Sequence, residues 1–199
     1  LTQYLKQVNE SGWYTNFGPL HQQLTQRLEA YLGVENLLLV SDGTLAIQVA
    51  CKVLGIQSAI TTPFSFVATT SSLLWQGIDV AFSDIDSQSY NLCPNALNDA
   101  FEHNSSYDGV LATHVYGNPC DVEAIARVAK CHGKKVVYDA AHAFAVKVGE
   151  QSVLSFGDAS TLSFHATKVF HTVEGGAIIF KHKADYEKAK QLINFGMKT

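Results

Sequence analysis

The sequence predicts an α/β protein, a three-layer αβα sandwich around a mostly parallel sheet. Short apolar runs alternate with stretches of helical period along most of the chain. Such alternation implies crossover connections, hence strands that run the same way with helices on both faces. The apolar share of 47% and charged share of 16% are those of an ordinary folded protein, large enough at 199 residues for one substantial core.

The elements follow in order. Leu1 to Pro19 is expected as an N-terminal arm, and residues 20 to 199 as one domain. Leu20 to Leu32 carries apolar residues at Leu20, Leu24, Leu28, Tyr31 and Leu32, a helical period. Leu37 to Val40 is a strand that ends in Ser41-Asp42-Gly43-Thr44, and Leu45 to Leu54 is the helix after it. Ala59 to Thr62 is a strand stopped by Pro63. Phe66 to Trp75 is a helix that Gly77 ends. Val80 to Phe82 is a strand, and Pro94 to Phe101 a helix with proline in its first turn. Val110 to Thr113 is a strand. Asp121 caps a helix that runs to His132, and Gly133 stops it. Lys135 to Tyr138, Thr161 to Phe164 and Gly176 to Phe180 complete the strands, and Lys183 to Asn194 is the last helix.

Composition narrows the functional classes. The formal charge of −4 and the absence of a basic stripe give no reason to expect nucleic acid as a partner. No apolar run is long enough for a membrane span, and Leu1 to Glu10 lacks the pattern of a signal peptide. Cys51, Cys93, Cys120 and Cys131 are scattered, without metal or redox spacing, which suits a reducing, cytoplasmic setting. The histidines show no ligand spacing, and Asp84 and Asp86 lack a third ligand, so no metal site is expected.

Ligands of parallel sheets sit at the carboxyl ends of the strands, and the notable polar residues fall there. Ser41 to Thr44 lies between a strand and a helix. It is read either as a phosphate cradle on free helix amides or as ordinary capping residues. Asp139 ends an apolar strand, where a carboxylate needs a partner. A protonated ring nitrogen is one, and a cap for the next segment is the other. Lys168 follows another strand through Ser163-Phe164-His165-Ala166-Thr167. It is either a nucleophilic amine in a site or a surface lysine on a loop. Ser163 is a candidate phosphate donor. Phe66, at a strand-to-helix turn, is either a ring-stacking residue or core.

The order of these motifs resembles the DegT/StrS-type nucleotide-sugar aminotransferases, a branch of the pyridoxal-phosphate (PLP) enzymes with the aspartate-aminotransferase fold. The matching stretches are Thr15 to Pro19, Ser41 to Thr44, Thr62 to Thr69, Asp84 to Asp86, His114 to Gly117, Asp139 to His142, Ser163 to Lys168, Glu174 to Ala177 and Asn194 to Gly196. They span nearly the whole chain in the family's order. The resemblance implies that Lys168 is the Schiff-base lysine and moves the proton during transfer. It implies that Asp139 pairs with the pyridine nitrogen, that Gly43, Thr44 and Ser163 hold the phosphate, and that Phe66 stacks on the ring. His142 stands where the family more often has Gln, and Asp42 where it has a small Ser or Asn.

Asn194 matches a residue that reaches a partner subunit's phosphate, which implies a homodimer. Thr15 to Gly18 would lie near the sugar. The implied reaction is transamination of a nucleotide-linked keto-deoxysugar, a dTDP sugar first, with glutamate as amino donor. Related enzymes of the same fold that dehydrate sugars carry His in place of the lysine, so Lys168 favours transamination. The family continues into a smaller C-terminal domain that this chain does not include, so the PLP cradle is expected complete and the substrate site incomplete. A non-catalytic, PLP-binding or dimerising remnant is the alternative expectation.

Overall fold

The computed structural model describes Thr2 to Met197. Leu1, Lys198 and Thr199, the outermost residues of the expected arm and domain, lie outside the described residues. The helices are α1 (Thr2–Ser11), α2 (Pro19–Leu32), α3 (Gly43–Leu54), α4 (Val67–Leu74), α5 (Pro94–His103), α6 (Val122–His132) and α7 (Lys183–Ile193). The strands are β1 (Leu37–Val40), β2 (Ser58–Thr61), β3 (Asp79–Phe82), β4 (Gly109–Thr113), β5 (Lys135–Asp139), β6 (Lys147–Val148), β7 (Gln151–Ser152), β8 (Ala159–Ser163) and β9 (Gly176–Phe180).

Seven strands form the main sheet in the order β1-β9-β8-β5-β4-β2-β3. The block β8-β5-β4-β2-β3 is parallel throughout, and β9 runs against both β8 and β1. The carboxyl ends of β1, β2, β4, β5 and β8 therefore meet the start of β9 at one end of the sheet. That end carries the site.

Successive strand residues face opposite sides, and each side has its own core. Ile60, Val110, Val136, Tyr138, Leu162 and Ile179 pack with Leu28 and Leu32 of α2, Leu97 and Phe101 of α5 and Ile125 of α6. Ala59, Leu111, Val137, Ile178 and Phe180 pack with Ile47, Ala50 and Val53 of α3, Leu73 of α4 and Ala189 of α7. The strands are apolar on both faces because helices cover both. The expected three-layer arrangement is the one observed.

Local signals act as read. Asp121 accepts a hydrogen bond from Ala124 N at 2.9 Å, and Gly133 ends α6 in the left-handed region at φ 66°. Strand β8 starts earlier than expected, at Ala159, because its first half contains the buried, polar Ser160 and Thr161. The expected arm contains α1, a helix with no buried residue, joined by the exposed pair Lys6–Glu10 at 3.7 Å. The hairpin of β6 and β7 was not anticipated: strands two residues long leave no periodic trace.

One strand-end residue is core. His114, fully buried, stacks on Tyr138 at 4.7 Å between ring centroids. Its Nδ1 accepts from Cys120 N at 3.0 Å, so the neutral ring carries its proton at Nε2, which has no partner among the described residues. Burial pushes its pKa down from 6.5 to about 4. The unfolded chain thus takes up a proton near pH 6.5 that the folded chain refuses until about 4. Stability from this residue is complete above 6.5 and falls as pH drops toward 4. Between pH 7 and pH 5 it should cost about 2 kcal/mol. Urea unfolding of wild type and His114→Asn at both pH values checks this. Equal losses in the two proteins would refute it.

Candidate functional site

A cavity of about 770 Å³ opens at the carboxyl end of the parallel strands. Its lining brings together Gly43, Thr44, Phe66, Asp139, His142, Ser163 and Lys168. These residues come from four separate strand ends, those of β1, β2, β5 and β8, so only the sheet topology makes them neighbours. Asn194 is not among the lining residues. It is buried at the end of α7, and its Oδ1 accepts from Asn16 Nδ2 at 3.2 Å.

One side of the cavity is built on α3. Asp42 caps the helix by accepting from Leu45 N at 2.8 Å, and Ala46 N bonds back to Asp42 O. The Gly43 and Thr44 amides remain as the free donors of the first turn, at the positive end of the helix. Their position depends on close packing. A Cβ on Gly43 would come within 2.8 Å of Ser163 Cβ, and one on Gly176 within 2.6 Å of the Asp42 carbonyl. Bare glycines thus let α3, β8 and β9 converge so that the Ser163 hydroxyl and two free amides share one corner.

Asp139 closes the far wall. The residue is 6% exposed, and its two oxygens are held by different donors: Ala141 N at 3.1 Å and Thr69 Oγ1 at 2.7 Å. Lys168 is half-buried on the loop after β8, its backbone N bonded to His165 O at 2.9 Å. Among the described residues no carboxylate forms an ion pair with its ammonium. His142 sits exposed at the rim, and its pKa is lowered by partial desolvation, then by the Lys168 charge, with Asp139 acting in opposition. Phe66 precedes α4 and is 72% exposed, so it is a rim residue and not core. Phe64 stacks on Tyr90 at 5.5 Å and meets Tyr116 edge-on, giving the mouth an aromatic side.

Chemically the set offers free amides and a hydroxyl for an anion, a carboxylate for a cationic or N–H group, and an amine that could meet a carbonyl. Sequence reading singled out these groups but missed the hydroxyls behind Asp139. Ser65 Oγ lies 2.6 Å from Thr69 Oγ1 and 3.1 Å from Thr113 Oγ1. The available signal was weak: Thr69 is the third residue of a helix, Val67–Leu74, half of whose residues are Ser or Thr. Among the described residues no group of three or more His, Cys, Asp or Glu is arranged to hold a metal, and no helix is long and apolar enough to cross a membrane.

Comparison with known proteins matches residues 1–199 to the DegT/DnrJ/EryC1/StrS aminotransferase family. The chain belongs to that family. A dTDP-4-amino-4,6-dideoxy-D-glucose transaminase from Shigella dysenteriae is 46% identical over 194 residues, 97% of this chain and 52% of the relative. The enzyme of the same name from Escherichia coli is 37% identical, covering 98% of this chain and 52% of its own length. Among solved structures, DesI with its TDP-sugar product superposes with a TM-score of 0.93 at 31% identity, over 98% of this chain and 50% of that one. The Bacillus subtilis protein ntda, crystallised with its cofactor PMP, the amine form of PLP, superposes with a TM-score of 0.84 at 28% identity, over 96% of this chain and 43% of that one. The DegT/DnrJ/EryC1/StrS aminotransferases are PLP-dependent. This member spans about half the length of the curated relatives it matches.

Proposed function

We propose that this chain binds PLP and takes part in transamination of a nucleotide-linked keto-deoxysugar, a dTDP sugar, with glutamate as amino donor. The observation that carries the proposal is the convergence of Lys168, Asp139 and the free α3 amides on one cavity. Bound there, PLP supplies an electron sink for bond breaking at the carbon that carries the transferred nitrogen. Gly43 N, Thr44 N and the Ser163 hydroxyl hold its phosphate, and Phe66 covers the ring face. Asp139 keeps the ring nitrogen protonated.

Lys168 Nζ would hold the cofactor at its aldehyde, and as a free amine it would take and return a proton at the substrate carbon. His142, its pKa lowered by desolvation and then by the Lys168 charge, offers a hydrogen bond at the ring edge. Asn194 and Asn16 belong to the face that a second copy covers in a homodimer, and the setting is cytoplasmic.

A second reading is a chain that binds PLP or dimerises without turnover. The test loads the purified protein with PLP, adds a dTDP-4-keto-6-deoxyhexose and glutamate, and follows amino sugar by mass spectrometry. Amino sugar formation supports the enzyme. Cofactor uptake without product selects the second reading. Failure of a folded sample to take up PLP sinks both.

A further inference from the structure

We infer that Thr69 is a positioning residue that holds the Asp139 carboxylate in one orientation, at the head of a directed chain of hydroxyls. This rests on the PLP reading of the cavity.

The geometry admits one set of proton positions when Asp139 is charged. A carboxylate only accepts, so the Thr69 hydroxyl donates to Asp139 Oδ2 across 2.7 Å. Thr69 has then spent its single proton, and the 2.6 Å contact with Ser65 Oγ requires Ser65 to donate. Ser65 is spent in turn, so Thr113 donates to Ser65 across 3.1 Å. The three hydroxyls therefore point head to tail, Thr113 to Ser65 to Thr69, toward one carboxylate oxygen. If Asp139 took up a proton and donated it to Thr69, the chain would have to reverse.

The head of the chain is shielded from water. Thr69 is 0% exposed, and the hydroxyls come from the loop after β2, from α4 and from the end of β4. Charge-assisted bonds in a shielded site are strong, and aligned donors reinforce one another. Ala141 N holds the other oxygen at 3.1 Å, so the carboxyl group cannot rotate without losing a donor. The device thus acts at a distance on the ring nitrogen: a stabilised carboxylate leaves the shared proton on the nitrogen. The positive charge there lowers the proton affinity of the lysine–cofactor linkage.

The experiment uses the full chain, with Thr69→Val as the isosteric deletion, Thr69→Ser as the conservative rescue and Ser65→Ala one bond further back. The readouts are PLP affinity and the pH midpoint of the visible absorption band of the lysine-bound cofactor. Thermal unfolding of the cofactor-free proteins serves as the folding control. Thr69→Val should weaken PLP by up to about tenfold, the upper limit being the worth of one hydrogen bond to a charged group that is present with and without the cofactor. It should also raise the absorption midpoint by up to about one unit. Thr69→Ser should restore both, and Ser65→Ala should shift the midpoint the same way by less.

A residue serving only to fill its place would change the melting temperature and leave the midpoint alone, and that result overturns the inference. If Thr69→Val does not fold, Ser65→Ala decides by the same midpoint. A wild type that gains no phosphopyridoxyl group on Lys168 after borohydride reduction overturns the PLP reading itself. A labelled wild type with unshifted variants overturns only the role of Thr69.

Discussion

Lys168→Ala should abolish covalent capture of PLP. Among the described residues Lys168 is the only lysine in the cavity lining, and its ammonium has no ion-pair partner. Reduction of the loaded wild type with borohydride should place a phosphopyridoxyl group on Lys168, identified by peptide mass spectrometry, and the variant should carry none. The variant should still bind PLP without a covalent bond, because the α3 amides, Ser163 and Asp139 are untouched. Where turnover is measurable, loss of the proton carrier should cost about 10²- to 10⁴-fold. Labelling of any other lysine in the variant, at wild-type yield, would remove Lys168 from the site.

Asp139→Asn should separate cofactor binding from folding. The carboxamide matches the carboxylate in shape but bears no charge and can accept on one side only. One of the two donors, Thr69 Oγ1 or Ala141 N, then faces an amide N–H. With the counter-charge for the ring nitrogen gone, PLP affinity should fall about 10- to 100-fold, which corresponds to one charged hydrogen bond at its usual strength. The cofactor-free variant should change little in stability, because the cost of the donor left facing an N–H offsets the relief of burying a carboxylate that no cation meets. PLP titration by absorbance and urea unfolding without cofactor read the two effects. Loss of stability with unchanged affinity would make Asp139 a structural cap, the other reading its position at the end of a strand allows.

Parts of the site were legible because they depend on short stretches of chain. Ser41 to Thr44 sits where a strand gives way to a helix, and Asp42 does cap α3. Asp139 ends a strand of Val136, Val137 and Tyr138, and a carboxylate at that point stands out against its neighbours. Phe66 was readable as a residue at a turn, but whether it faced core or cavity was not. Its exposure follows from the way α4 packs through Thr69, Ser72 and Leu73. The hydroxyls behind Asp139 had no sequence signal as a group: Ser65, Thr69 and Thr113 are common residues in three different elements. Asn194 shows the reverse case. Its motif was evident, yet within one chain it lies outside the cavity lining and meets Asn16.

The sequence by itself determined the layered fold, the family and the chemical types gathered at the strand ends. Those depend on periodicity, on caps and on motif order, all of which are local or linear. Tertiary structure alone decided which of those residues share a cavity and how Asp139 is held. It did so because the order β1-β9-β8-β5-β4-β2-β3, with β9 reversed, brings strand ends distant in sequence to one edge of the sheet. Gly43 and Gly176 then let the backbones close to a distance that no Cβ would permit.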